Sequence, residues 1–569
     1  MNSFIFLSYF YLLLLSVLGY GFLLKKILIR KITYNLEISY QYIGFYGLAF
    51  ITFVSMFTNI FFAHNILHNT ILHLFGLFFF FFFYKSKNIQ FFKYIFFISL
   101  ILLPSLFISK VNEDFPYYHL PYTTYLTENK LIFGIGHLNH GFNLLSSLFN
   151  FNSTVKLPYI GLYSFHFIYV YFLIFFNFFI LKEVFNKSNK DIIIVSLFVL
   201  AFVFFNLSFN RIAEFGTDKA GHLLIVLITI KLLQYFQNTN KGQMYYNILP
   251  ILPLLAYAIS LKAYFIAYVI LLLPIFFYKQ NFLIFLKKII ITRTFYFSLF
   301  LILLMCVHYF FATGCLIAPI SFLCFGDSFI WARSIDSMNG LSIWLEQWAK
   351  AGAGPGFRVE NAAEYVKGVN WVPNWIDKYV FRKVTDQLGI LFLSILLVFG
   401  FLFNFTKQKK YFFNKEIYIF YAAILLVFFI WFFKHPDLRY GGYPLIFFIF
   451  SIPMVLFFKK FKKKNNFIKN SAVLFILVFL VFNIKNISRI KNEFDRNDMY
   501  KFSNFPYYVI KKIEYSSNIS ESGLVTYSPK YSKNEWNYCW DIPSPCIMNP
   551  EAVILSKYKK NYFFIYEVK

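Results

Sequence analysis

The sequence predicts an all-α polytopic membrane protein with about fourteen transmembrane helices. Three observations carry that expectation: a composition too apolar for a soluble fold, apolar runs of bilayer length, and basic residues gathered in alternate loops. The 569-residue chain is 59% hydrophobic and 14% charged, with a mean hydropathy of +0.59. Soluble domains are about 45–50% apolar and about 25% charged, so this much apolar surface needs a bilayer to cover it. The 84 Phe and 43 Tyr come with abundant Ile, Asn and Lys, the pattern of an AT-rich coding sequence, and runs such as Phe79–Phe83 read as apolar filler.

A bilayer core of about 30 Å needs about 20 apolar residues per helix. That ruler places spans near 4–24, 41–63, 69–84, 94–109, 160–181, 192–210, 219–236, 245–261, 263–278, 295–312, 387–404, 416–434, 443–458 and 471–484. No basic residue precedes the first apolar run, so it reads as a helix and not as a signal peptide. Basic clusters follow the odd-numbered spans, among them Lys25, Lys26 and Arg30 after the first and Lys459 to Lys464 after the thirteenth. Under the positive-inside rule those loops are cytoplasmic, which puts both termini outside, in the periplasm if the membrane is a bacterial inner membrane. The net charge of +28 is then spread over loops and does not form the single basic face of a nucleic-acid-binding protein.

Three long segments fall on the outer side: 110–159, 313–386 and a tail over 485–569, read as a small α+β domain after a transmembrane region over 1–484. Cys315 and Cys324 lie in the second segment, Cys539 and Cys546 in the tail. Close pairs on an oxidising side are disulfide candidates, the alternative being four thiols. Neither nucleotide-binding glycine pattern is present.

Nearly all the unusual polar residues lie on that outer side. Glu113 and Asp114 form an adjacent acidic pair after the fourth span, followed by His119. Carboxylates at a membrane mouth bind a cation, take a proton or orient a substrate, or else cap a helix N-terminus. Glu214, Asp218 and His222 are spaced four apart and would share one face of an early-starting helix. With Asp114, the residues Asp218 and His222 could form a divalent-cation site; solvated interfacial charge is the alternative. Lys262 stands alone between two apolar runs and must snorkel or pair. Arg439 suits a lipid phosphate by its forked donors or an ion pair with Asp437. Trp331, Trp344, Trp348, Trp371 and Trp375 in the second outer segment suit either an interfacial belt or a surface that stacks on sugar rings.

An acidic pair opening the first outer loop, Glu113-Asp114 before Tyr117-Tyr118-His119, resembles the GT-C glycosyltransferase superfamily, whose relatives include the protein O-mannosyltransferases and the lipid A aminoarabinose transferases. The Asp437-Leu438-Arg439-Tyr440 stretch is similar to the Arg-Tyr motif opening a late helix in such enzymes, and the Glu214–Asp218 turn looks like their second acidic loop. The likeness covers residues 90–270 and 415–460, and departs from the best-known members in having four helices before the acidic loop where they have one. It implies a sugar moved from a polyprenyl-phosphate donor to a glycan, lipid or protein acceptor. Asp114 would act as catalytic base or organiser with Glu113 beside it. Arg439 and Lys262 would hold the donor phosphate, with Glu214, Asp218, His222 and His119 in support. A polysaccharide polymerase or ligase and a lipid-linked sugar transporter or flippase are the rival expectations.

Overall fold

The computed structural model describes residues 3–29, 39–84, 89–107, 114–186, 191–214, 216–237, 247–278, 282–354, 359–407, 415–496, 512–530, 538–548 and 554–567. The chain is mostly helical. Among the described residues, ten helices are long and apolar enough to cross a membrane, and four shorter apolar helices (Ile192–Ser208, Leu249–Leu261, Ala263–Ile275 and Gly442–Phe458) lie where other spans are expected. The chain is therefore a multi-pass membrane protein.

Burial separates the inner helices from the rim, which hydropathy alone could not do. The Gly161–Val184 and Asp218–Gln237 spans are 94% and 89% buried, whereas Ile66–Phe83 and Arg293–Thr313 are each 28% buried. Buried polar groups within apolar helices need partners, and several find them across helices. Asn177 and Asn206 exchange side-chain hydrogen bonds at 3.0 and 2.8 Å. Lys231 pairs with Glu183 at 2.7 Å, and Gln41 donates to the same carboxylate at 2.6 Å. Pro453 sits inside the Gly442–Phe458 helix and cannot donate to the carbonyl four residues back. The Tyr421 hydroxyl takes over, donating to the Ile449 carbonyl at 3.0 Å.

The structure revises the expected boundaries in two places. The span expected at 387 starts at Val372, because Val372–Trp375 runs through a π-helical stretch into Thr385–Leu402. The last helix, Phe467–Arg496, carries the chain past residue 484, so the boundary of the tail falls inside a helix. Beyond Arg496 the described residues form strands and no helix: β3 (Tyr515–Ile519) pairs antiparallel with β4 (Val525–Pro529), and β5 (Ile554–Lys559) with β6 (Tyr562–Glu567). A further short pair, β1 (Phe403–Lys407) with β2 (Phe461–Lys463), ties two helix ends together.

The tail is docked and not separate. The Phe133 N–H donates to the Phe563 carbonyl at 2.9 Å, and the Ile565 N–H donates to the Phe133 carbonyl at 2.8 Å. Glu567 of β6 takes Arg333 at 2.7 Å and lies 3.3 Å from His137. Both cysteine pairs are bridged, Cys315 to Cys324 and Cys539 to Cys546, and Cys306 is unbridged. The loop closed by the second bridge reaches back to the first outer segment. The Trp540 N–H donates to the Pro116 carbonyl at 3.1 Å, and the Ser544 N–H donates to Glu128 at 2.9 Å.

Candidate functional site

Four charged side chains, drawn from four separate places in the sequence, meet at one end of the bundle. The Arg439 guanidinium donates from Nη2 to Asp114 Oδ2 at 2.7 Å and from Nε to Asp218 Oδ2 at 2.8 Å. Lys262 Nζ pairs with Asp218 Oδ1 and donates to the Arg439 carbonyl at 3.0 Å. Thr217 Oγ1 donates to Asp218 Oδ1 at 3.2 Å. Two carboxylates and two cations thus balance within one connected network.

Local structure explains each placement. Asp114 immediately precedes a π-helical turn, Phe115–His119, which leads into the Leu120–Glu128 helix; π-helical turns are uncommon and recur at functional sites. Asp218 is the first residue of the Asp218–Gln237 helix, where its charge meets the positive end of the helix dipole. Lys262 lies at the break between Leu252–Leu261 and Ala263–Leu272, in extended backbone with φ −154° and ψ 114°. That break turns its side chain into the cluster, so it pairs there with Asp218.

Arg439 sits on a short turn, Leu438–Tyr440, between the Lys415–Lys434 and Gly442–Phe458 helices. Asp437 caps the turn: its Oδ1 accepts the Arg439 N–H at 2.9 Å and the Tyr379 hydroxyl at 2.5 Å. Tyr379 also accepts the Leu438 N–H at 2.8 Å. Two indoles hold the backbone, Trp375 donating to the Pro436 carbonyl at 2.7 Å and Trp431 to the Asp437 carbonyl at 2.8 Å. Gly441 closes the turn at φ +91°, a conformation open to glycine at little cost. Asp437 is therefore a buried anchor of the Arg439 backbone, and its carboxylate is not the partner of the guanidinium.

Aromatic rings wall the cluster. Lys262 Nζ lies 4.2 Å from the Tyr440 ring centre, and the Arg439 guanidinium lies 5.8 Å from that of Trp348. Tyr117 and Tyr538 of the tail are 5.9 Å apart. Burial alone would raise the Asp114 carboxyl above its ordinary range, but the Arg439 guanidinium and then His119 hold it below that range. Arg439 is kept charged by Asp218 and Asp114 against its own burial.

Other expected site residues fall elsewhere. Glu214 lies before the helix starts and pairs with Arg211, so it does not share a face with Asp218. His222 is fully buried with its ring 5.4 Å from Phe265 and 5.3 Å from Tyr443. Asp114, Asp218 and His222 accordingly form no metal-holding group, and no group of three such ligands occurs among the described residues; the guanidinium links the two carboxylates instead. His119 is buried and packs its ring 5.3 Å from Phe149. Glu113 lies outside the described residues. Trp371 and Trp375 are buried core residues and Trp331 packs on Phe310 and Phe329, so the tryptophans do not form one stacking surface; Trp348 alone of the five lies against Arg439. Sequence reasoning named Trp348 as one of five tryptophans suited to a belt or a stacking surface, without setting it apart from the others, and it missed Tyr379.

Fold and site together define a multi-pass membrane protein with a charge-balanced cluster, walled by aromatic rings, at one end of its helices. A family model described as "Domain of unknown function (DUF8201)" matches residues 3–447, and the chain belongs to that family. The matched stretch holds all four charged residues of the cluster and stops before the tail. No curated protein and no solved structure gives a significant match.

Proposed function

We propose that the protein is a GT-C-like membrane glycosyltransferase that moves a sugar from a polyprenyl-phosphate donor to an acceptor hydroxyl. In this reading it crosses a bacterial inner membrane about fourteen times, with both termini and the cluster on the periplasmic side. The observation that carries the reading is the contact between Arg439 and both Asp114 and Asp218, with Lys262 beside them. Cations next to carboxylates at a membrane mouth suit a reaction between a lipid phosphate and a hydroxyl. The lipid tail would stay in the bilayer while Arg439 and Lys262 take the phosphate oxygens.

Asp114 then accepts the proton of the acceptor hydroxyl as its oxygen attacks the anomeric carbon. The bond from that carbon to the phosphate oxygen breaks, the electron pair leaves with the polyprenyl phosphate, and the proton stays on Asp114 until it passes to product or water. Phosphate is a fair leaving group, so no separate acid is required. Clustering of the charges at one end supports a transferase over a transporter, whose ionisable sites lie near mid-membrane.

The test is transfer from a polyprenyl-phosphate sugar by the purified protein in proteoliposomes. Asp114→Asn should lower turnover by about 10²-fold or more if Asp114 is the general base, with the protein still folded and inserted. Near-normal transfer by that variant would remove Asp114 from the chemistry.

A further inference from the structure

The two carboxylates are unequally exposed. Asp218 accepts from Lys262, Thr217 and Arg439 Nε, and Asp114 accepts from Arg439 Nη2. The Asp218 side chain is 11% exposed and that of Asp114 is 27% exposed. Asp218 also sits at the start of a helix that is mostly buried, while Asp114 precedes a π-helical turn. The Arg439 backbone is fixed by Asp437 and by Lys262, so the guanidinium can change one partner without moving its base. An arriving anion finds two cations whose charge is already balanced. It can be paired fully only if one carboxylate yields, and the more exposed one is Asp114.

We propose that Asp218 is a positioning residue that holds Arg439 and Lys262 in place throughout, and that Asp114 is an exchangeable partner which a donor phosphate displaces from Arg439. This rests on the glycosyltransferase reading of the cluster. The exchange links two events: phosphate binding and release of the Asp114 carboxylate to face a hydroxyl. Before the donor arrives, Asp114 is occupied by Arg439 and is a poor base. Once the phosphate is seated, Asp114 loses its strongest counter-charge and its basicity rises. The donor therefore prepares the base that will act on the acceptor.

The proposal makes opposite predictions for two carboxylates that look alike. A polyprenyl phosphate lacking a sugar serves as the probe, and its dissociation constant is measured on the full chain in detergent or nanodiscs. Asp114→Asn removes a competitor for Arg439 and should tighten binding about threefold or more. Asp218→Asn loosens both cations and should weaken binding about tenfold or more. Unchanged or weaker binding by Asp114→Asn would overturn the exchange.

A second measurement needs no variant. Carbodiimide coupling of an amine to carboxyls, read residue by residue by mass spectrometry, should label Asp114 more strongly when the polyprenyl phosphate is present, with Asp218 unchanged. Protection of Asp114 by the probe would also overturn the exchange. Failure of the unaltered protein to bind polyprenyl phosphate at all is a different result: it would remove the glycosyltransferase reading itself.

Discussion

Tyr379→Phe isolates the scaffold behind Arg439 without touching any charge in the cluster. The hydroxyl makes two bonds, donating to Asp437 Oδ1 at 2.5 Å and accepting the Leu438 N–H at 2.8 Å. A hydrogen bond to a charged group contributes about 1.5–3 kcal/mol, and leaving a buried donor unpaired costs about 1–3 kcal/mol. Asp437 keeps the Arg439 N–H, so the bottom of that combined range, roughly 2.5–3 kcal/mol, is the figure to use. If about half is felt as looser placement of Arg439, donor binding weakens by about 1–1.5 kcal/mol, close to tenfold. The assay is steady-state transfer with varied polyprenyl-phosphate sugar. KM for the donor should rise about tenfold while kcat at saturation changes less than threefold, because Asp114 is untouched. Tyr379→Phe combined with Asp437→Asn should cost less than the sum of the single changes, since the two groups share one bond. An unchanged KM together with a lower melting temperature would refute the reasoning, showing that the bond supports only the fold.

The tail contact is expected to depend on pH. A hydrogen bond with His137, and then the Arg333 guanidinium, pull the Glu567 carboxyl down to about 2, against partial burial. Its folded-state value lies below the unfolded one, so its contribution is complete above the ordinary Glu value of about 4.3 and fades as pH falls from there towards the folded value. Glu567 is half exposed, so the contribution is about 1 kcal/mol or less; Glu567→Gln should raise the rate of tail proteolysis at neutral pH only a few-fold, and an unchanged rate would discount the pair. Topology is checked by reporter fusions at Lys464 and after Glu567, expected to read cytoplasmic and periplasmic respectively; the same side for both would sink the proposed orientation.

What the sequence could and could not reveal follows from range. Asp114, Asp218, Lys262 and Arg439 each stand next to the end of an apolar run, and helices of similar length bring such ends to one plane. Their shared level was legible for that reason. Their pairing was not: Arg439 and Asp114 are 325 residues apart, and no local pattern states which ends are neighbours around the bundle. Asp437 shows the same limit. Two residues from Arg439 it reads as an ion-pair partner, yet a tyrosine 58 residues away takes its carboxylate. The Glu214 face failed on a smaller matter, a helix beginning at Asp218, since spacing gives phase but not the first turn. Strands in the tail were legible as part of its α+β reading, but the seat of β6 against Phe133, a contact between distant parts of the chain, was not.

The docked tail loop has a consequence for how the protein comes into being. Trp540 and Ser544 close on Pro116 and Glu128, and the second of those contacts spans 416 residues. At typical elongation rates of about 5–20 residues per second, the segment after Asp114 is made tens of seconds before the segment that braces it. In that interval the helices can insert, but the turn bearing Asp114 has no tail loop to lean on, and the Cys539–Cys546 bridge that shapes the loop does not exist. Completion of the cluster therefore waits on delivery of the tail to the same face and on its oxidation, so an unfinished chain in the membrane carries its charged residues without the brace that sets one of them.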